Sequence, residues 1–343
     1  MLMKKHSSSP SPSNLQRHDL GLLRAVVHNA FLVFSLFVGY RFYLFYLWTM
    51  HRSSTFVPRP PSVEGFLPIS ALLGLKRLLL TGVYDPVHPA GLTILLAAIV
   101  IGLLLRKGFC GWICPVGAFS HLMENLGRRF HMQTRLPIWL DLPLLSVKYL
   151  LLAFFLYAIF WKMNLRALIG FQNSPYNHGA DARMLQFFLH PSALAGSILL
   201  FLSIISLPLA NFWCRYLCPY GGLLGLLALC SPIRIRRDAE KCIDCKKCRK
   251  TCPASIKVDT KTTVVAPECI GCLECVAICP KDECLTVTAG PRKRLPVFLL
   301  PALVLLLYFS FYLGANLTGN WHSRLSPTDF QRAYAISKSL QHP

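Results

Sequence analysis

Charge is what this sequence has least of. Only 15% of its 343 residues are Asp, Glu, Lys or Arg, against about 25% in an average soluble domain. The acidic share is smaller still, 15 residues against 36 Lys and Arg. That shortage argues against an ordinary water-soluble enzyme. Neither a Walker phosphate loop nor a Rossmann Gly-x-Gly-x-x-Gly fingerprint occurs, which removes the usual signs of nucleotide hydrolysis or of a nicotinamide site. No Cys-x2-Cys-His haem attachment occurs either. Gly (21) and Pro (24) stand near ordinary usage, so collagen-like and low-complexity readings fail.

What is present is apolar surface and cysteine. The formal charge of +21 could suggest a nucleic-acid binder, but 54% hydrophobic residues and a mean hydropathy of +0.46 do not suit solvated phosphate contacts. No nucleic-acid partner is expected, and insertion among membrane lipids accounts for both numbers. Crossing a hydrocarbon core takes about 20 apolar residues. Five segments come near that length: 25–48, 89–105, 142–161, 192–213 and 295–314. Residues 63–80 are interrupted by Glu64, Pro68, Lys76 and Arg77 and read as an interfacial or re-entrant segment. Lys148, near the inner end of the third span, fits a snorkelling side chain. Residues 1–24 read as a disordered basic cytoplasmic tail, and 315–343 as a short periplasmic tail.

Lys and Arg beside the spans set the orientation. Arg106, Lys107, Arg128, Arg129 and Arg135 lie between the second and third spans, while Arg234, Arg236, Arg237, Arg292, Lys293 and Arg294 flank the segment between the fourth and fifth. The N-terminus and the region 231–290 are therefore expected on the cytoplasmic side of a bacterial inner membrane.

Fourteen cysteines are present, and nine of them fall between Cys242 and Cys284. Two runs, Cys242-x2-Cys245-x2-Cys248-x3-Cys252-Pro253 and Cys269-x2-Cys272-x2-Cys275-x3-Cys279-Pro280, each carry the complete bacterial ferredoxin pattern. Three closely spaced thiolates wrap three corners of a cubane, and the fourth reaches the other cluster. Cys242, Cys245, Cys248 and Cys279 are thus expected to hold one [4Fe–4S] cluster, and Cys269, Cys272, Cys275 and Cys252 a second. Structural zinc would use four ligands in two pairs split by a longer loop, and disulfides do not suit a reducing compartment. Cys230 and Cys284 fit neither run and read as buried small hydrophobes.

The remaining four cysteines form a repeated motif. His88-Pro89 is followed after 22 residues by Cys110-Gly111-Trp112-Ile113-Cys114-Pro115-Val116-Gly117, and His190-Pro191 after 24 residues by Cys214-Arg215-Tyr216-Leu217-Cys218-Pro219-Tyr220-Gly221. Two spans in parallel internal repeat, related by an axis along the membrane normal, would bring four thiols to the inner membrane edge. They could build a further metal site or a dithiol relay, or simply pack.

Paired Cys-x3-Cys-Pro motifs followed by a double ferredoxin module resemble the NapH/NosR/CcoG group of bacterial membrane-bound ferredoxin-like proteins, over about residues 24–290. The lean architecture is most similar to the NapH-like type, without a large flavin domain before the spans or a folded domain after the last. The resemblance implies an α-helical integral membrane protein carrying an inserted 2[4Fe–4S] ferredoxin-like α+β module. It also implies an electron-transfer subunit of the quinol dehydrogenase type, relaying electrons between a quinone pool or cytoplasmic donor and a periplasmic reductase or cytochrome. The basic runs at Lys246, Lys247, Arg249 and Lys250 could meet an acidic flavodoxin or ferredoxin. The alternatives are a copper reductase serving maturation of another enzyme, with Met50, His51, Met163, His178 and Met184 as unorganised outer-face ligands, or a redox sensor.

Overall fold

The computed structural model describes residues 12–290 and 293–337. Helix α1 runs from Pro12 to Thr49, so the part of the expected tail within the described residues is helical from Pro12 onward. Leu20, Leu23, Arg24 and Val27 recur at helical spacing and turn one face onto the protein; Leu20 and Arg24 are buried. Residues 1–11 lie outside the described residues.

A 3-10 turn, Pro61–Phe66, leads into α2, Pro68–Thr81, which ends on Gly82 in the left-handed conformation. This expected interfacial segment packs inward: Ala71, Leu72 and Leu73 are buried, and Lys76 Nζ donates to the Ile159 carbonyl at 2.7 Å. Helix α3, Pro89–Leu105, begins with proline at its first turn, where the missing amide costs nothing. Its 17 residues rise about 26 Å, short of a full hydrocarbon core, and most of them are buried among α1, α2 and later helices. Arg106 takes a positive φ of 59° and stops it. Helices α4, Gly108–Trp112, and α5, Pro115–Arg129, follow.

Helix α6, Ile138–Leu156, continues through a π-helical turn at Tyr157–Lys162, 25 residues in all. After α7, Leu165–Gln172, and α8, Pro175–His178, come α9, Ala180–Leu189, and α10, Ala193–Ile205. These last two meet at 76° across His190-Pro191. The fourth expected span, 192–213, is therefore broken: α10 has 13 residues and ends at Ser206-Leu207-Pro208, where proline cannot continue a helix. Helix α11 covers Pro219–Leu227.

The ferredoxin-like module is a four-stranded antiparallel sheet with two short helices. Strand β1, Ile233–Arg237, pairs with β2, Thr263–Val264, on one side, placing Ile235 opposite Val264. On its other side lies β3, Leu285–Ala289, which also pairs with β4, Lys293–Leu295. Helices α12, Lys247–Thr251, and α13, Glu274–Ala277, each follow a ligand loop. Because Leu295 pairs with Val287, the last apolar helix starts later than expected: α14 covers Leu299–Leu317. Ile235, Val264 and Val287 join Ile101, Leu105, Leu300 and Val304 in one continuous core. The module is thus built onto the membrane helices rather than hung from them.

Three helical stretches are long and apolar enough to cross a membrane: Asp19–Thr49, Ile138–Lys162 and Leu299–Leu317. The bent α9–α10 pair makes up to four, against the five expected. Helix α15, Pro327–Ser337, folds back within the expected outer tail and packs Phe330 and Tyr334 against Phe42 and Phe45 of α1. Beside it is a buried ionic cluster. Arg59 Nη1 donates to Glu64 at 2.7 Å and Arg59 Nε to Asp181 at 2.7 Å, while the Tyr334 hydroxyl donates to Asp181 at 2.8 Å. His88 stands 3.6 Å from Glu64 and contacts the Asn177 carbonyl at 2.9 Å. His190, its expected counterpart, is exposed.

Candidate redox centres

The two Cys-x3-Cys-Pro motifs fold alike. In each, the amide of the second cysteine donates five residues back, Cys114 to Phe109 O and Cys218 to Trp213 O, both at 3.0 Å. Each turn is thus wider than an α-turn, of the π type that recurs at functional sites. The following proline opens α5 or α11, with Cys114 or Cys218 as the residue that caps it. The Gly two positions after that proline meets a close approach: a Cβ on Gly117 would lie 2.7 Å from the Cys110 carbonyl, which excludes a side chain there, and one on Gly221 3.3 Å from the Cys214 carbonyl, a tight fit.

Cys110, Cys114, Cys214 and Cys218 all line one cavity of about 700 Å³. Its inner end holds the thiols with Lys107 and Tyr220. The rest runs between apolar side chains of α1, α2, α6 and α9, among them Phe31, Phe34, Leu72, Phe155 and Phe187, as far as Ser62 and Gly65. Burial pushes the Cys114 thiol up to about 11 and the Cys214 thiol up to about 12, and it also raises the Cys110 thiol well above its ordinary value. Ser120 Oγ lies 3.5 Å from Cys214 Sγ.

The eight cysteines of the two runs line two small pockets. One small pocket is lined by Cys242, Cys245, Cys248 and Cys279 with Arg237, Asp259 and Cys284. A second is lined by Cys252, Cys269, Cys272 and Cys275 among Ile235, Ile256, Val258, Val264 and Ile270. The fourth cysteine of each run has crossed to the other run's pocket. The two loops match turn for turn: Asp244 and Lys246 have φ of 50° and 55°, and Gly271 and Leu273 have 63° and 62°. Left-handed backbone at Asp244, Lys246 and Leu273 is costly for a side-chain-bearing residue; repetition of this turn in both loops ties it to wrapping a common object. Among the described residues no three His, Cys, Asp or Glu side chains are close enough for a single metal ion.

The pockets differ in exposure. In the first, Cys245 is exposed and only Cys248 is buried; in the second, Cys269 and Cys275 are buried, and burial pushes Cys272 up to about 12 and Cys252 up to about 11. Such thiols stay protonated until a metal displaces the proton. Cys284 is buried as expected, but Cys230 is exposed, because it falls in the turn between α11 and β1.

Both membrane motifs are docked on the buried pocket. A Cβ on Gly111 would meet the Ile270 carbonyl at 2.4 Å, and the Trp112 indole donates to the Gly271 carbonyl at 3.1 Å. From the second motif, Arg215 reaches the Ala254 carbonyl and pairs with Asp141 at 2.8 Å. Other buried charges tie the same region; sequence reasoning read Lys148 as snorkelling, counted Arg106 only for orientation and passed over Arg24. Arg24 donates to Glu274 at 2.6 Å and to the Gly111 carbonyl at 3.3 Å. Lys148 is fully buried and paired with Glu268, the residue before Cys269. It does not snorkel. Arg106 donates to the Ala266 carbonyl at 2.8 Å.

A family model described as a 4Fe-4S binding domain matches residues 87–133 and again 189–237, and one described as a 4Fe-4S dicluster domain matches 234–280. Over 309 residues the chain is 43% identical to the "Putative electron transport protein YccM" of Escherichia coli, covering 87% of this chain and 86% of that protein. It is 31% identical to the protein NirI of Paracoccus denitrificans over 46% of this chain and 23% of that one. With the ferredoxin-type protein NapH of Haemophilus influenzae it shares 28% identity over 48% of this chain and 55% of that one. No solved structure matches. The chain belongs to the NapH-like family of membrane-bound iron–sulfur electron-transport proteins.

Proposed function

We propose that this protein relays single electrons through two [4Fe–4S] clusters on the cytoplasmic face of the bacterial inner membrane, linking a quinone bound in the large cavity to redox partner proteins. Cys252, Cys269, Cys272 and Cys275 would hold the buried cluster, and Cys242, Cys245, Cys248 and Cys279 the outer one. Bound cubanes supply one-electron chemistry at potentials set by burial, charge and hydrogen bonding. Cys110, Cys114, Cys214 and Cys218 form a further redox centre, on the inner edge of a parallel repeat.

The observation that carries this reading is the lining of the large cavity. The four motif thiols share it with Pro253, Ala254, Glu268 and Ile270, residues that belong to or adjoin the loops of the buried pocket. Its apolar remainder suits an isoprenoid quinone. The outer pocket has the opposite character. Lys246, Lys247 and Lys250 are exposed around Cys245, with Ile243 and Ile278 as apolar contacts. A basic rim around an apolar patch favours fast, weak encounter with an acidic carrier.

The test is quinol-driven reduction in sealed proteoliposomes holding the anaerobically loaded full chain. Quinol should bleach the cubane absorption in wild type, and Cys110→Ser/Cys214→Ser should slow that bleaching at least tenfold with both cubane signals retained. Reoxidation of the reduced clusters by Cu(II), with no bleaching by quinol, would replace this reading with metal-linked maturation chemistry.

A further inference from the structure

Lys107 lies between α3 and α4, is only 3% exposed, and lines the large cavity with the four motif thiols. Its Nζ sits 3.4 Å from where a Cβ on Gly221 would stand; the Cys214 carbonyl is 3.3 Å and the Cys218 Cβ 3.6 Å from that same point. The ammonium is thus placed at the second motif while its backbone begins the helix that carries the first. The other charged side chains lining this cavity are matched: Arg24 with Glu274, Arg215 with Asp141, and Glu268 with Lys148. Lys107 has no carboxylate partner among the described residues.

An unmatched buried ammonium is expensive. Four neutral thiols would leave it uncompensated, whereas four thiolates on iron carry net negative charge. We propose that Lys107 is the counter-ion of an anionic iron–sulfur centre ligated by Cys110, Cys114, Cys214 and Cys218, and that it raises that centre's reduction potential. The inference rests on the reading of these four cysteines as a redox centre, in segments that match a 4Fe-4S binding domain model, and adds the residue that tunes it. The step concerned is a one-electron exchange with the set of Cys252, Cys269, Cys272 and Cys275. One set loses the electron the other gains, no proton moves, and no bond forms or breaks. Lys107 stabilises the state with one more negative charge. A dithiol–disulfide couple would instead take up two electrons with two protons and end neutral, so Lys107 would scarcely affect it.

The experiment is EPR-monitored redox titration with iron counting on the full chain purified without oxygen, comparing wild type, Lys107→Met, Lys107→Arg and Cys110→Ser/Cys214→Ser. Wild type should carry iron beyond the about eight of two cubanes, with a third signal that the double cysteine variant loses while keeping the cubane signals. Lys107→Met, of similar length and apolar, should make reduction of that third centre at least tenfold less favourable, about 59 mV more negative for one electron. Lys107→Arg should restore most of the shift. The cubane signals report in each variant that the chain has folded. A third centre whose potential is the same in Lys107→Met overturns the role of Lys107 and leaves the four-cysteine centre standing. Absence of any signal lost in the double cysteine variant overturns the iron centre itself.

Discussion

The proposed sharing of ligands between the two ferredoxin runs makes a distinctive prediction at single residues. Cys252→Ser, in the first run, should remove the cluster of the second run, and Cys279→Ser the cluster of the first; each variant should lose about half of the cubane iron. Potentiometric EPR checks this, because the surviving signal identifies which environment, buried or exposed, was lost. Gly111→Ala tests the docking of the first motif. Its added methyl would stand 2.4 Å from the Ile270 carbonyl, so the motif must withdraw from the Cys272 loop. The expected result is a destabilisation of about 2 kcal/mol with at least tenfold slower quinol-driven bleaching, measured on the loaded protein. The cysteine runs were legible because their spacing repeats a known pattern. Lys107, Arg24 and Lys148 were not, since a Lys or Arg beside an apolar run looks the same in sequence whether it meets water, lipid headgroups or a half-buried carboxylate such as Glu268 or Glu274.

Among elements, the buried ionic cluster joining the Pro61–Phe66 turn, α3, α9 and α15 has its own pH signature. Burial acts to raise the Glu64 carboxyl, but Arg59 and His88 outweigh it and hold it below its ordinary 4.5. Burial acts to lower His88, and Glu64 outweighs it to hold the imidazole above 6.5. Glu64 therefore adds stability that is complete above about 4.5 and is lost as pH falls through its lowered folded value. His88 adds stability that is complete below about 6.5 and is lost as pH rises through its raised folded value. Glu64→Gln leaves Arg59 half matched and should cost about 3 kcal/mol. The melting-temperature gap between wild type and variant should be widest between those two pH values, and a gap constant from pH 4 to 9 would contradict the assignment. The element pattern was only partly legible. Apolar length announced α1, α6 and α14, but hydropathy does not see that Pro208 ends α10, that β4 displaces the start of α14, or that residues 63–80 find partners on α3.

For the whole molecule, the asymmetry between a buried and an exposed pocket bears on which proposed cluster would meet a redox partner. If Lys246, Lys247 and Lys250 receive an acidic carrier, the second-order rate of electron exchange with a negatively charged flavodoxin should fall steeply between low salt and 0.5 M. The rate of quinol-driven bleaching, which involves no charged encounter, should stay within about twofold. Reversing the three lysines to Glu should abolish the salt dependence without changing cubane content. The ferredoxin-like module was readable as a unit from sequence. Its fusion to the membrane helices through Ile101, Leu105, Leu300 and Val304 was not, because such contacts join residues far apart in the chain and leave no periodic mark.

The most direct measurement is iron and acid-labile sulfide counting with EPR on the full chain purified under strict anaerobiosis. The account predicts a brown protein with no fewer than about eight irons and eight sulfides, and two [4Fe–4S] signals that appear on reduction. A colourless chain, or one carrying zinc in place of iron and sulfide, would contradict it.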